Sequence, residues 1–261
     1  MPILAQPMRS AARFRVFENP DSACAQVAGE ISQLIRERSV LGRPVVLGLA
    51  TGKTPLPLYE ELVYLHREEG LSFQNVVTFN LDEYLGLEPT HPAGFRSVMQ
   101  RNLFDHVDIP PQNIHFLPGI IPDGEIAARC AAYEKEITRA GRIDFQILGI
   151  GRNGHIGFNE PGSTLNSRTR QVELCELTRG DAAEEFKGLE NVPTHAVTMG
   201  CRTILASRKL VLLAWGAKKA PVVRRAIEGP VTADVSASYL KTHPAARFFL
   251  DPPAATLLKK K

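Results

Sequence analysis

Short apolar runs alternate along the chain with stretches in which apolar residues recur every three or four positions. The runs PVVLGLA (44–50), FQILGI (145–150) and KLVLLAW (209–215) are typical of strands buried on both faces. Shorter runs predict further strands at residues 13–18, 76–79, 114–117, 170–174, 196–199 and 247–250. The helical period predicts helices at residues 23–38, 55–69, 95–106, 124–140, 218–228 and 235–241.

Strands that alternate with helices predict an α/β fold with parallel pairing and right-handed crossovers. We find no internal repeat, low-complexity tract or linker in the sequence. We therefore expect one domain, an open, mostly parallel sheet with helices on both faces and a modified Rossmann-like architecture. The predicted domain spans residues 13–261 and follows an N-terminal arm at residues 1–12.

Composition excludes several classes of protein. A chain of 261 residues with 44% hydrophobic and 23% charged residues is typical of a globular protein. A net charge of +3 does not favour a nucleic-acid or membrane-surface partner, and no apolar run approaches the roughly 20 residues that span a bilayer. The four cysteines are far apart, with no CxxC spacing and no signal-peptide pattern, which predicts a cytoplasmic protein without a zinc site or disulfide framework.

Polar residues collect after three of the predicted strands, at residues 51–54, 82–84 and 153–160. In an open parallel sheet, ligands bind beyond the carboxyl ends of the strands. We therefore expect the three clusters to form one site.

The first cluster, Thr51-Gly52-Lys53-Thr54, joins a strand to the start of a helix. Backbone N–H groups, two hydroxyls and an ammonium group at such a turn favour a phosphate. Only three residues separate Gly48 from Gly52, one fewer than a nucleoside-triphosphate loop requires, so we exclude that motif. A plain turn without a ligand is the alternative.

The second cluster contains the adjacent carboxylates Asp82 and Glu83. One of them can face inward as a general base while its neighbour caps a helix or meets solvent. Adjacent acids are also common on loops that carry no function, and that alternative stays open for this pair alone.

The third cluster lies in the Gly-rich segment 149–161. His155 titrates near neutral pH when unperturbed, and Asn153 and Glu160 are close enough in sequence to orient it. The segment also contains a GxGxxG pattern, but no clean helix follows it, so the pattern is weak evidence for a dinucleotide site. A structural histidine in a tight loop is the alternative.

The chain resembles the glucosamine-6-phosphate deaminase (isomerase) family in five segments that occur in the family's order. They are LGLATGKTPLPLYEEL, VVTFNLDEYLGL, RNLFDHVDIP, LGIGRNGHIGFNEPGS and LLAWGAKKA. The resemblance extends from about residue 44 to about residue 244. Residues 177–200 are similar to a branch in which this domain is fused to a deacetylase-like domain, although no second domain is expected in this sequence.

The resemblance implies that glucosamine 6-phosphate and water are converted to fructose 6-phosphate and ammonia, without a metal or organic cofactor. Asp82 matches the carboxylate that moves a proton from C2 to C1, His155 the residue that opens the sugar ring, and Glu160 a carboxylate that supports it. The implied phosphate-binding residues are Thr51, Gly52, Lys53, Thr54 and Lys219.

Three positions depart from the family's pattern. Asn153 stands where most members carry a catalytic Asp, and it supplies no negative charge. No Arg is found at residues 182–185, where the family places a phosphate-binding one, and Lys53 replaces a small residue. We hypothesise that Lys53 supplies the lost cation, helped by Arg179.

The resemblance leaves related functions open. Galactosamine 6-phosphate or 6-phosphogluconolactone are alternative substrates, and a non-catalytic sugar-phosphate sensor is a further alternative. The expected partner is a small amino-sugar phosphate, and a homo-oligomer is an open alternative to a single chain.

Overall fold

The computed structural model describes residues 13–122 and 124–259. Its ten strands are β1 (Arg13–Val16), β2 (Val45–Leu49), β3 (Val76–Asn80), β4 (Asp82–Tyr84), β5 (Ile114–His115), β6 (Phe145–Leu148), β7 (Arg170–Glu173), β8 (His195–Thr198), β9 (Lys209–Ala214) and β10 (Ala246–Leu250). Each strand predicted from the sequence overlaps one of these strands. The predicted arm at residues 1–12 lies outside the described residues and stays a prediction.

Seven of the strands form one sheet in the order β1-β10-β9-β6-β2-β3-β5. All its neighbouring strands are parallel, as the alternation of strands and helices predicted. The strand order reverses direction between β6 and β2, which is where ligands bind in open α/β sheets. The predicted α/β fold, with an open parallel sheet flanked by helices, is thereby confirmed.

A second, three-stranded sheet in the order β4-β8-β7 was not predicted. We expected residues 82–84 to follow a strand, but they form β4 and pair with β8 in antiparallel register, with Asp82 opposite Thr198. Three residues that include two acids carry no strand signal of their own. The pairing with β8, which lies more than a hundred residues away in sequence, determines their conformation.

Eight α-helices accompany the sheets in the described chain. They are α1 (Pro20–Val40), α2 (Leu56–Glu69), α3 (Phe95–Asn102), α4 (Ile126–Arg139), α5 (Glu176–Ala182), α6 (Cys201–Leu205), α7 (Ala220–Glu228) and α8 (Pro252–Ala255). The sequence did not predict α5, α6 and α8, which have 7, 5 and 4 residues and are too short to show a period.

Two predicted helices differ in kind from what was expected. The helix predicted at 95–106 ends at Asn102 and is followed by a 3₁₀ turn at Phe104–His106. The helix predicted at 235–241 is a 3₁₀ helix, Ser236–Thr242. Among the residues described, no helix combines the length and the apolar character that crossing a membrane requires.

Two hydrophobic clusters support the sheets. The larger one includes the fully buried β2 and the inward face of α1, with Val27, Ile31 and Ile35. The smaller one surrounds Tyr84 of β4, whose ring centroid lies 5.3 Å from that of Phe158. Because Phe158 belongs to the Gly-rich segment, this aromatic cluster holds that segment against β4.

Candidate active site

Asp82 is the first residue of β4 and is almost completely buried. Its strand directly follows β3, and Leu81 between them is tied to both sheets, because its N–H donates to the Leu49 carbonyl and its carbonyl accepts from Met199. Burial, and secondly the negative charge of Glu83, raise the pKa of Asp82 to about 8. A carboxyl group with a pKa near neutrality can both take and return a proton.

Glu83 has a structural position. Its carboxylate accepts the backbone N–H groups of Phe95 and Arg96, each at 2.9 Å, at the start of α3. The N-cap residue of α3, Gly94, has no side chain that could do this. Asp82 is therefore buried at the start of β4 and Glu83 caps a helix, which is one of the arrangements that the sequence left open.

The Gly-rich segment follows β6 and passes directly beside Asp82. Gly157 has a φ of +54°, and a Cβ there would lie 2.9 Å from Thr198 Oγ1 and 3.3 Å from Asp82 Oδ2. Only glycine fits this position, because of both its backbone angle and the space. Two residues of chain span at most about 7 Å, so the Cα of His155 lies within that distance of Gly157, the glycine beside the Asp82 carboxylate.

His155 packs on the backbone of its own loop. A Cβ on Gly151 would lie 2.3 Å from both Cε1 and Nε2 of the His155 ring, and the Gly151 N–H donates to the His155 carbonyl at 3.0 Å. A glycine at 151 is thus required for the ring to occupy this position. The tight turn predicted from the glycines of residues 149–161 therefore provides the space that the imidazole occupies.

Glu160 and Asn153 surround the other side of the imidazole. His155 Nδ1 lies 3.4 Å from Glu160 Oε2, and Asn153 Nδ2 donates to the same oxygen at 2.5 Å. Asn153 Oδ1 also accepts the His155 backbone N–H at 3.1 Å. Burial alone would raise the pKa of Glu160, but the contacts with His155, Thr178 and Asn153 outweigh it and lower the pKa to about 2.

Two further residues reach this group that the sequence analysis did not single out. Cys175 Sγ lies 3.4 Å from Glu160 Oε2, and Thr178 Oγ1 lies 3.5 Å from His155 Nδ1. Both belong to the start of α5, where Cys175 is the N-cap. At the start of a helix, the spacing Cys-x-x-Thr places the N-cap and N3 side chains next to each other. The sequence could not reveal this contact, because it did not predict where α5 begins.

The turn at residues 51–54 lies between β2 and α2 and is connected to β3. Asn80 Nδ2 lies 3.3 Å from Thr51 Oγ1, and the Thr54 carbonyl accepts from Trp215 Nε1 at 2.9 Å. Gly52 has a φ of +118°, a conformation that other residues rarely adopt. Thr51 and Thr54 therefore lie on one tight turn.

Lys53 extends away from the turn toward the end of α5. Its Nζ lies 3.0 Å from Glu184 Oε2 and 3.1 Å from Glu185 Oε1, and the hydrogen bonds that it donates to these carboxylates raise its pKa. Arg179, the predicted helper, is engaged elsewhere because its guanidinium group donates to the carbonyls of Leu189 and Val192.

Lys219, at the N-terminus of α7, reaches the start of the Gly-rich segment. Its Nζ donates to the Ile150 carbonyl at 2.7 Å. Burial lowers its pKa. The ammonium group of Lys219 is thus placed beside the loop that carries His155.

A cavity of about 890 Å³ lies between α4 and β7. It includes Glu134 and Arg168 but none of the predicted site residues. In the described part of the chain, no group of three or more histidine, cysteine or carboxylate side chains has the arrangement of a metal site. The titratable residues beyond the ends of β2, β3 and β6 therefore identify the candidate site better than cavity volume does.

Comparison with known proteins gives consistent matches over most of the chain. A family model for glucosamine-6-phosphate isomerases/6-phosphogluconolactonase matches residues 18–249. The chain is 48% identical over 235 residues to a glucosamine-6-phosphate deaminase of Arthrobacter sp. (strain FB24), with 90% of this chain and 88% of the relative covered. It is 45% identical over 247 residues to a glucosamine-6-phosphate deaminase of Hahella chejuensis, with 95% and 92% covered.

The fold is similar to that of a solved monomeric glucosamine-6-phosphate deaminase of the NagB superfamily. The TM-score is 0.89 with 40% sequence identity, and the similarity covers 94% of this chain and 99% of that chain. The family resemblance derived from the five motifs is confirmed by these matches. The finer similarity to a branch fused to a deacetylase-like domain stays a prediction.

Proposed function

The chain belongs to the family of glucosamine-6-phosphate isomerases/6-phosphogluconolactonase, and we propose that it is a glucosamine-6-phosphate deaminase. Glucosamine 6-phosphate and water would yield fructose 6-phosphate and ammonia. The observation that carries this proposal is that the Gly-rich loop bearing the His155–Glu160 pair passes beside the buried Asp82 carboxyl group at Gly157.

Ring opening is the role we assign to His155. With Nδ1 beside the ionised Glu160, the proton stays on Nδ1 and the lone pair of Nε2 is free. Nε2 can then accept the proton of the sugar's O1 hydroxyl and return it to O5, which breaks the C1–O5 bond and forms an aldehyde. Glu160 orients the imidazole and stabilises its transient positive charge.

Proton transfer between C2 and C1 is the role we assign to Asp82. The C2 proton becomes acidic once C1 is a carbonyl, and the Asp82 carboxylate removes it. Transfer of a proton from the substrate's ammonium group to O1 then completes a neutral enolamine. Return of the proton to C1 gives an imine at C2, and addition of water to that imine releases ammonia. The raised pKa of Asp82 brings its proton affinity closer to that of the carbon acid than an exposed aspartate would have.

Asn153 fits this scheme as a positioning residue rather than a second acid. It donates to Glu160 and accepts from the His155 backbone, so it holds both partners without adding a charge. Glu160 then supplies the negative charge that the imidazole needs. This division supports activity despite the departure from the family's usual Asp.

We place the substrate phosphate at the turn formed by Thr51, Gly52, Lys53 and Thr54, with Lys219 as a second cation. A phosphate dianion can compete with Glu184 and Glu185 for the exposed Lys53 ammonium group. The phosphate takes no part in the reaction, so its contacts contribute remote binding energy that holds the sugar in place.

The support for a cytoplasmic location comes from the state of the cysteines alone. All four cysteines are free thiols, which suits a reducing compartment. The oligomeric state, including the alternative of a homo-oligomer, stays a prediction.

Ammonia release by the purified chain, measured in a coupled assay, tests the proposal. We expect turnover with glucosamine 6-phosphate, far less with unphosphorylated glucosamine, and none in Asp82→Asn. Galactosamine 6-phosphate and 6-phosphogluconolactone serve as the competing substrates. Binding of the sugar phosphate without any turnover would support a sensor instead and would overturn the assignment.

A further inference from the structure

The start of α5 presents two neutral side chains to the His155–Glu160 pair. Cys175 Sγ lies 3.4 Å from Glu160 Oε2, and Thr178 Oγ1 lies 3.3 Å from the same sulfur. Thr178 Oγ1 also lies 3.5 Å from His155 Nδ1. The two residues therefore connect α5 to both members of the pair.

The imidazole is held by two long contacts rather than one short one. Its Nδ1 is 3.4 Å from Glu160 Oε2 and 3.5 Å from Thr178 Oγ1, both beyond the usual range for a good hydrogen bond. Catalytic hydrogen bonds are often long in the absence of substrate and shorten in the complex. Losing either contact would weaken the hold on the Nδ1 proton and so favour a change of tautomer.

Burial distinguishes the two residues of α5. Thr178 is 7% exposed, so its hydroxyl has a defined position. Cys175 is exposed, but its Sγ contacts Glu160 Oε2 and Asn153 Nδ2, each at 3.4 Å. The hydroxyl therefore faces the imidazole from a rigid position, and the thiol supports the hydroxyl.

We propose that Thr178 is a positioning residue for His155, whose hydroxyl keeps the Nδ1 proton in place and leaves Nε2 unprotonated toward the substrate. Cys175 supports it by holding the hydroxyl beside the imidazole. This inference rests on the proposed function for its consequence in turnover, but the tautomer of His155 can be measured without any reaction.

The test compares Thr178→Val, which removes only the hydroxyl, with Thr178→Ser, which keeps it. One hydrogen bond at a charged pair corresponds to about a tenfold effect on rate. We expect kcat for glucosamine 6-phosphate to fall about tenfold in Thr178→Val with KM within about twofold, and Thr178→Ser to recover most of the loss. Thr138→Val, on the exposed face of α4, is the matched control and should leave both constants unchanged.

The tautomer is read from two-bond ¹H–¹⁵N correlation spectra of histidine-labelled protein, with His155→Gln used to assign the signals. Wild type should show the proton on Nδ1, and Thr178→Val should show a mixture of tautomers. Identical spectra and equal kcat in wild type and Thr178→Val would overturn the proposal. So would a Thr178→Ser variant as slow as Thr178→Val, because volume rather than the hydroxyl would then matter.

Cys175→Ala provides a second route if Thr178→Val fails to fold, since Cys175 is exposed. We expect a smaller fall in kcat, about threefold, with the same change in the His155 spectrum. An unchanged spectrum in Cys175→Ala would then refute the proposal. Lack of turnover by wild type on every amino-sugar phosphate would refute the proposed function, while the spectra would still decide the role of Thr178.

Discussion

Replacement of Asp82 by Asn should stabilise the protein while abolishing its activity. The structure buries the Asp82 carboxyl beside the charge of Glu83, and both raise its pKa, from 3.8 to about 8. Holding a charge in that position opposes folding, whereas an amide of the same shape carries no charge there. The same burial that prepares Asp82 for proton transfer therefore destabilises the folded chain.

The size of the effect follows from proton linkage. Between about pH 4 and pH 8 the folded chain keeps a proton on Asp82 that the unfolded chain has released. The free energy of unfolding therefore falls as pH rises, by about 1.4 kcal/mol per pH unit from this group. From pH 5 to pH 8 the wild type should lose roughly 4 kcal/mol relative to Asp82→Asn, as an upper limit, and above pH 8 the difference should stay constant.

Urea unfolding of both proteins at intervals from pH 5 to pH 9 measures this difference. Effects of the substitution that do not depend on pH cancel when differences between pH values are compared. Asp105→Asn is the matched control, because it changes the same chemical group at an exposed position. If the stability difference between wild type and Asp82→Asn is the same at pH 5 and pH 8, burial does not raise the pKa of Asp82. That result would also refute the argument that the raised pKa prepares Asp82 to act as a base.

Two further predictions concern the packing of the His155 ring on Gly151 and the binding of the substrate phosphate. Gly151→Ala places a Cβ 2.3 Å from the His155 ring, so kcat should fall about 100-fold, in line with loss of general acid–base catalysis. Gly149→Ala is the control and should keep the wild-type kcat, because a Cβ there would have no atom within 4 Å. Equal kcat values in the two variants would contradict the position of the ring. Lys53→Ala should raise KM for glucosamine 6-phosphate about 3- to 5-fold, the range of an exposed ion pair, with kcat unchanged and Lys135→Ala as control. An unchanged KM would refute a role for Lys53 in phosphate binding.

The regular elements of the fold could be predicted from the sequence because hydrophobic periodicity is local. The buried strands β2, β6 and β9 and the long helices α1, α2 and α4 each carry enough apolar positions to show their period. The short α5 and β4 do not, and their conformation depends on partners far away in the chain. Both missed elements carry residues of the candidate site.

The residues of the candidate site likewise fall into those that the sequence indicated and those that it did not. The sequence by itself indicated Asp82, His155, Glu160 and the turn at Thr51–Thr54, because polar residues after parallel strands meet at one edge of the sheet. It could not decide which of Asp82 and Glu83 caps a helix, since that depends on where α3 begins.

Only the tertiary structure placed Thr178 against His155, turned Arg179 toward backbone carbonyls and paired Lys53 with two carboxylates that follow α5. These contacts join residues 10 to 131 positions apart. A sequence pattern reports which face of an element is apolar, but the contacts between elements arise from packing, and packing determines the protonation and orientation on which the chemistry depends.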